Sequence, residues 1–353
     1  MARCSSTASA ASNATSSSAG SASSRAQAMV ATSPLRIVFF GTPEFAVPTL
    51  DALLGSRHPV VGVVTQPDRP RGRGQKISAA PVKARALAAG LPILQPERLK
   101  DPAFLDALAA LRADLGVVAA YGKILTDAVL AMPRLGMVNV HASLLPRYRG
   151  AAPVHRAIIA GERETGITIM RVVRALDAGP MLTTVRRPIG PDETSDEVER
   201  DLARLGAPLL VSATDALAAG GGEETPQDDN AATYAHRLTK EDGVIDWNLP
   251  ATRLHDQIRG LHPWPHAFTF CHGRRFILIR SAAEAASPEG REGGTILEAE
   301  GDRLVVAAGS GRLQVIQIQA EGKRPMGARE FLAGHRLIPG DRFTAAPPEE
   351  PQA

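Results

Sequence analysis

Short apolar runs separated by helical patterns fill the first part of the chain. The run at residues 35–40, LRIVFF, is continuous and partly β-branched, which is typical of a strand buried on both faces. Similar runs recur at residues 60–64, 91–94, 115–119 and 137–140, with helical patterns around residues 81–89 and 103–112. This alternation predicts an α/β domain with a Rossmann-like, mostly parallel sheet and helices on both faces. The turn after the first run, GTPE, lacks the G-x-G-x-x-G spacing, so a dinucleotide cofactor is not supported.

The pattern changes after a long helical stretch that begins with a capping box at Thr194 and Glu197. Glycines at residues 220–222 and the polar stretch after them indicate a linker. Short strand-like runs then follow at residues 267–271, 275–279, 294–297, 304–307 and 313–318. Closely spaced short strands indicate a smaller OB-like β-barrel domain. The predicted organisation is a first domain at 35–220, a linker at 221–239, the barrel domain at 240–343 and a disordered tail at 344–353.

Residues 1–34 are rich in serine and alanine, contain no acidic residue and have basic residues only at Arg3 and Arg25. Such a segment buries too little apolar surface to fold, so we expect a disordered extension. Its composition also resembles an organelle transit peptide, which leaves an organelle as the alternative to a cytoplasmic location. The chain has no run of 18 or more apolar residues, and this excludes a membrane-spanning helix.

The two cysteines, Cys4 and Cys271, are far apart, so they indicate neither a disulfide framework nor a metal site. This cysteine usage fits a reducing compartment. The formal net charge is only +3, which is too small to indicate a nucleic-acid partner. Such a partner has to be inferred from where the basic residues lie.

Residues 137–150 read MVNVHASLLPRYRG and contain the strongest candidate chemistry. Asn139 and His141 are separated by one residue on a predicted strand, so their side chains lie on one face of the sheet. In open α/β sheets, ligands bind at the carboxyl ends of the strands, where this pair would lie. A histidine and a neutral amide donor can together stabilise a developing oxyanion. Asp177, in the segment LDAGP, can orient the imidazole.

The residues alone leave a structural interpretation of these three side chains open. A histidine near a strand end is often a satisfied structural group, an asparagine beside it is often a turn residue, and an aspartate before Ala-Gly-Pro is often a turn former. Spacing does not separate these roles from catalysis.

Longer strings resemble the methionyl-tRNA formyltransferase family of folate-dependent enzymes, from about residue 35 to about residue 343. They are FFGTPEFAVP (39–48), TQPDRPRGRGQK (65–76), NVHASLLPRYRGAAP (139–153), ETGITIM (164–170) and LDAGPM (176–181). The resemblance implies that Asn139, His141 and Asp177 are catalytic, with 10-formyltetrahydrofolate as co-substrate and no metal. The loop residues that it implies for folate binding are Ser143, Leu144, Leu145 and Pro146.

A basic loop and the second domain bear on the identity of the acceptor. The basic residues of this loop are Arg69, Arg71, Arg73 and Lys76. Arginine suits contacts with phosphates and base edges, but a solvated basic loop has the same composition. The resemblance implies that the loop binds the acceptor arm of tRNA. OB-like barrels commonly bind nucleic acid, which adds Lys240 as a candidate contact.

The implied reaction is formyl transfer from 10-formyltetrahydrofolate to the amino group of initiator methionyl-tRNA, by a monomer without membrane association. Three alternatives stay open: a formyltransferase for a small amine such as glycinamide ribonucleotide or an amino-sugar nucleotide, a formyltetrahydrofolate hydrolase, and a non-catalytic tRNA-binding protein. The first two leave the basic loop unexplained. The third leaves Asn139, His141 and Asp177 unexplained.

Overall fold

The computed structural model describes residues 33–68, 70–71, 76–77, 79–285 and 290–347. The disorder predicted for residues 1–34 and 344–353 falls mostly outside these ranges. Within them, no helix is both long enough and apolar enough to cross a lipid bilayer.

Seven strands form one sheet in the first half of the chain. The strands of this half are β1 (Ile37–Gly41), β2 (Val60–Val64), β3 (Pro70–Arg71), β4 (Lys76–Ile77), β5 (Ile93–Leu94), β6 (Leu115–Ala119), β7 (Met137–His141), β8 (Arg149–Gly150), β9 (Glu164–Arg171) and β10 (Met181–Pro188). The sheet has the order β10-β9-β7-β6-β1-β2-β5. Strands β1, β2, β5, β6 and β7 are parallel, and β9 is antiparallel to both β7 and β10. The predicted mostly parallel, Rossmann-like sheet is confirmed.

Helices cover both faces of this sheet. They are α1 (Val47–Leu54), α2 (Pro81–Ala88), α3 (Pro102–Ala110), α4 (Asp127–Leu130), α5 (Pro153–Ile159) and α6 (Ser195–Ala218). Helices α1, α2, α5 and α6 share an apolar cluster with Val138 and Val140 of β7. Helices α3 and α4 share another with Met137 of the same strand. Burial of each such side chain contributes about 1.5–3 kcal/mol, so alternate residues of β7 are fixed to opposite faces.

Helix α6 begins with the predicted capping box and lies close to β7. The backbone N–H of Thr194 donates to Glu197 Oε2 at 2.8 Å, and the box satisfies N–H groups that the first helical turn leaves unpaired. In the middle of the helix, a Cβ added to Gly206 would be 3.0 Å from Val140 Cγ1. The missing side chain therefore lets α6 approach β7.

An antiparallel sheet forms the second half. After β11 (Tyr234–Ala235), the elements are α7 (Ala251–Gly260), β12 (Ala267–Cys271), β13 (Arg274–Glu284), β14 (Ile296–Glu300), β15 (Arg303–Ala307), β16 (Arg312–Ala320), β17 (Met326–Gly327) and α8 (Ala328–Gly334). The sheet order is β12-β13-β16-β15-β14, with β17 beside β16. Thr344 pairs with Phe270 of β12, and Arg342 pairs with Thr295 just before β14. The segment 341–344 thus joins both edges, as the predicted OB-like barrel requires. The pairing extends one residue beyond the predicted domain end at 343.

The segment that connects the two halves, predicted as a linker over residues 221–239, is bonded to the first half. Thr225 and Met181, at the start of β10, exchange two backbone hydrogen bonds of 2.8 Å. Further along, β11 pairs in parallel with β8, with Ala235 beside Gly150. We call residues 224–235 the bonded linker.

Candidate active site

Strand β7 places Asn139 and His141 on the same face of the sheet, as predicted. The residues on either side of Asn139, Val138 and Val140, lie in the core cluster of the opposite face. The Asn139 side chain is partly exposed, and among the residues that the structure describes its amide has no hydrogen-bond partner. The His141 side chain is only 5% exposed. Asn139 is therefore free to contact a ligand, whereas His141 is held by the protein.

Each ring nitrogen of His141 faces an oxygen atom. Nε2 is 3.0 Å from the carbonyl oxygen of Tyr148. Because a carbonyl only accepts, Nε2 carries a hydrogen and donates it. Nδ1 is 3.7 Å from Asp177 Oδ2, which suits an ion pair with a protonated ring but is too long for a direct hydrogen bond. The structure thus brings the predicted trio together and leaves Nδ1 as the nitrogen that can exchange a proton.

Asp177 is fixed through both its side chain and its backbone. Its Oδ2 accepts from the N–H of Gly150 at 2.9 Å. Its φ of 46° is a left-handed conformation that costs most residues with a side chain about 1–2 kcal/mol and that aspartate adopts more readily than they do. The Nε2 of Gln227 donates to the carbonyls of Asp177 and Gly179, at 2.8 and 2.7 Å. Only glycine fits at position 179, because a Cβ on Gly179 would be 1.9 Å from the carbonyl oxygen of Arg171.

Tyr148, whose carbonyl binds His141, is anchored at two further points. Its N–H donates to Thr233 Oγ1 at 2.8 Å, and its hydroxyl donates to Glu162 Oε1 at 2.7 Å. Burial and the hydrogen bond to Glu162 raise the pKa of Tyr148 to about 12, so the phenol stays protonated as a donor. The residue has a φ of 60°, and these anchors hold its left-handed backbone with the carbonyl towards His141.

Sequence reasoning did not single out Tyr148, Glu162, Gln227 or Thr233. Their hydrogen bonds to one another and to Asp177 join positions that are 14, 50 and 85 residues apart. No local pattern marks such contacts. The only signal was the position of Tyr148 inside the segment that contains the candidate chemistry.

The predicted folate loop follows β7, but two of its four side chains are buried within the protein. Ser143 and Leu145 are 0% and 6% exposed. The Ser143 hydroxyl donates to a backbone carbonyl four residues later at 2.6 Å, and the N–H of Leu145 donates to Thr168 Oγ1 at 3.2 Å. Leu144 and Pro146 are partly exposed. Ser143 and Leu145 therefore shape the loop, and the four folate contacts stay predictions.

A second loop, after β6, adjoins Asn139. Val118 of β6 pairs with Asn139 across the sheet. The carbonyl of Tyr121, in the loop, accepts from Gln66 Nε2 at 2.8 Å. Ile124, farther along the loop, is 84% exposed. This loop therefore brings a fixed backbone and an exposed apolar side chain to the edge of the sheet where Asn139 lies.

The predicted tRNA contacts fall mostly outside the described side chains. Arg69 and Arg73 lie outside the described residues. Arg71 and Lys76 belong to the short hairpin of β3 and β4, where the structure describes the backbone alone. Lys240 is exposed at the start of a helical turn of three residues. These five tRNA contacts stay predictions.

Comparison with known proteins identifies the family. The sequence profile described as Formyl transferase matches residues 35–214. The profile described as Formyl transferase, C-terminal domain, matches residues 237–336. The chain therefore belongs to the formyl transferase family.

Individual relatives narrow this class. The chain is 47% identical over 307 residues to the methionyl-tRNA formyltransferase of Moorella thermoacetica, covering 87% of this chain and 98% of the relative. It is 49% identical over 305 residues to the methionyl-tRNA formyltransferase of Stutzerimonas stutzeri, covering 86% and 96%. A solved N-formyltransferase from Helicobacter canadensis, in complex with folinic acid and dTDP-3-aminofucose, has a TM-score of 0.62 at 16% identity, covering 81% of this chain and 99% of that one. At this identity the likeness shows the fold alone.

Proposed function

We propose that this chain transfers the formyl group of 10-formyltetrahydrofolate to the α-amino group of initiator methionyl-tRNA. The observation that carries the proposal is the assembled trio of Asn139, His141 and Asp177, in a chain that matches methionyl-tRNA formyltransferases over nearly their full length. The second domain does not by itself identify tRNA, because the similarity to the solved sugar-nucleotide complex extends over 81% of this chain. The identification of tRNA as the acceptor rests on the named relatives and on the basic loop.

The surroundings of the trio suit a folate co-substrate. A pterin presents donors and acceptors in one plane and has apolar faces. The unpaired Asn139 amide, the partly exposed Leu144 and Pro146 and the fixed loop after β6 offer matching chemistry. Ser143 and Leu145 would act by holding the loop in shape. When bound, the co-substrate supplies an activated formyl carbonyl.

The three side chains then have separate roles. Asn139 donates to the formyl oxygen as negative charge develops there, and one preorganised donor of this kind contributes about 2.7–4 kcal/mol. Because Nε2 of His141 is bonded to Tyr148, Nδ1 is the nitrogen that donates to the reacting group. Asp177 faces Nδ1, keeps the protonated ring in place and moves the proton that the attacking amine loses towards the leaving nitrogen.

The proposal extends to the predicted partners and location. A positively charged loop suits the phosphates of an acceptor stem. The residues assigned to tRNA are Arg69, Arg71, Arg73, Lys76 and Lys240. The chain acts as a monomer in the cytoplasm.

Transfer of labelled formyl to charged initiator tRNA tests the acceptor, with elongator methionyl-tRNA and glycinamide ribonucleotide as controls. We expect transfer to the initiator tRNA and none to the small amine. Transfer to the small amine without transfer to either tRNA would overturn the proposal.

Two substitutions test the trio. Asp177→Asn and His141→Ala should fold and lose most of kcat. For His141, loss of a charge-stabilising donor corresponds to about 10²–10³-fold. Asp302→Asn, at an exposed aspartate in the turn between β14 and β15, is the matched control and should keep wild-type turnover. Near-full turnover by either trio variant would remove that residue from the mechanism.

A further inference from the structure

The bonded linker places one glutamine against the turn that contains Asp177. Gln227 uses both ends of its amide: Nε2 donates to the carbonyls of Asp177 and Gly179, and Oε1 accepts from Arg149 Nε at 3.0 Å. The Arg149 side chain is 4% exposed and also pairs with Asp229 of the linker at 2.8 Å. Gln227 is thus oriented by a buried cation on one side and contacts the turn on the other.

The Asp177 turn needs such support. A non-glycine residue in the left-handed region persists only where its surroundings determine its conformation, and Asp177 has a φ of 46°. The turn also leaves two carbonyls that require donors, and one side-chain amide satisfies both. The bond from Gly150 to the carboxylate fixes the side chain but not these carbonyls.

We propose that Gln227 is a positioning residue for the formyl transfer: it holds the Asp177 turn so that the carboxylate faces His141 Nδ1. The linker between the two domains is then part of the catalytic site. This inference rests on the proposed role of Asp177. Gln227 itself touches neither His141 nor Asn139 in the described contacts, so it acts through Asp177.

The chain contains a matched control for this proposal. Gln257 of α7 also donates from Nε2 to two backbone carbonyls, those of Asp242 and Val244, at 2.9 and 3.0 Å. Both glutamines are partly buried. Replacement of either by methionine removes the two donors and keeps the length of the side chain. At Gln227 it also removes the acceptor for Arg149. Only Gln227 is bonded to the Asp177 turn, so an effect on the reaction should be confined to it.

The experiment measures kcat, KM and Tm for the full chain with Gln227→Met and Gln257→Met. We expect Gln227→Met to lower kcat by about 10- to 100-fold, the scale of a displacement of about 1 Å at a reacting group. KM for both substrates should change by less than about threefold, since the substituted residue binds neither. Gln257→Met should lower Tm by less, since it removes no acceptor from a buried cation, and should leave kcat unchanged.

A double-substitution cycle separates positioning from a general loss of structure. If Gln227 acts through Asp177, Gln227→Met should lower kcat little further when it is added to Asp177→Asn, because the effects of interacting sites are not additive. Single-turnover rates with enzyme in excess make the residual activity measurable. If Gln227→Met does not fold, Gln227→Glu takes its place, since it keeps the acceptor for Arg149 and removes the donors.

The outcomes are distinguishable. Wild-type kcat in the Gln227 variant, an equal loss of kcat in Gln257→Met, or full additivity with Asp177→Asn would each overturn the positioning role. Full activity of Asp177→Asn alone would instead overturn the proposed catalytic role of Asp177. The inference is supported if Gln227→Met lowers kcat, Gln257→Met does not, and Gln227→Met has no further effect on kcat in the Asp177→Asn variant.

Discussion

The hydroxyl of Tyr148 can be removed without changing the backbone that presents its carbonyl to His141. Tyr148→Phe deletes the donor that lies 2.7 Å from Glu162 Oε1. Although burial opposes it, hydrogen bonds from Arg147 and Tyr148 hold the pKa of Glu162 below its usual value, so the acceptor is charged. A hydrogen bond to a charged group contributes about 1.5–3 kcal/mol. Glu162 is 25% exposed, so water can replace the lost donor, and its ion pair with Arg147 remains in the variant. We therefore expect the free energy of unfolding to fall by about 1.5 kcal/mol, the lower limit of that range.

Thermal unfolding and turnover together test this expectation. For a domain of about 150–250 residues, 1 kcal/mol lowers Tm by about 2–4 °C, which gives about 3–6 °C here. Because the N–H of Tyr148 still binds Thr233, kcat should fall by at most about tenfold, the factor that corresponds to 1.4 kcal/mol. Tyr234→Phe, at an exposed tyrosine, should change neither quantity. An unchanged Tm for Tyr148→Phe would refute the anchoring role, and complete loss of turnover would show that the hydroxyl takes part in the reaction.

Two further substitutions test helix α6. The pKa of Glu197 is held at about 2 by the backbone N–H of Thr194 and by Arg280, against the opposing effect of burial. Its carboxylate stabilises the fold above pH 4.5, its ordinary pKa, and that contribution is lost as the pH falls towards 2. Wild type should be more stable than Glu197→Gln by about 1 kcal/mol at neutral pH. This difference should disappear as the pH falls from 4.5 towards 2. A Tm difference that does not change with pH would contradict the role of the carboxylate. Gly206→Ala gains about 1 kcal/mol of helix propensity but forces a Cβ to 3.0 Å from Val140. Since overpacking costs about 1–3 kcal/mol, urea unfolding should show a net loss of stability. A gain in stability would mean that β7 shifts to make room for the added Cβ.

Local patterns predicted the parts of the site that depend on local geometry. The shared face of Asn139 and His141 follows from the alternation of side chains along a strand, and the capping box follows from the spacing of Thr194 and Glu197. The residues predicted that Asp177 could orient the imidazole, but its assignment as catalytic came from the family resemblance, because the local sequence does not distinguish this role from that of a turn former.

Contacts between distant segments were beyond the sequence. The bonded linker is polar and follows three glycines, so its composition indicates a linker and marks none of its contacts. Gln227 and Thr233 nevertheless bond to the two turns that face the ring nitrogens of His141. A loop string does not reveal which of its side chains point inward, so the burial of Ser143 and Leu145 could not be read from it. The folate contacts of this loop stay predictions. Thr168 of β9, which binds this loop, lies 23 residues from Leu145.

The pairing of residues 341–344 with both edges of the second sheet fixes the order in which the chain can be completed during synthesis. All strands of the first sheet lie between Ile37 and Pro188, so that sheet can form while the remainder is still being made. The second sheet has β12 and β14 as its edges, and their shared partner is synthesised after both. Until it emerges, parts of these edges, such as Phe270 of β12, present unpaired N–H and C=O groups, which can pair with other chains. A chain without residues 341–344 would therefore leave both edges open to association with other chains.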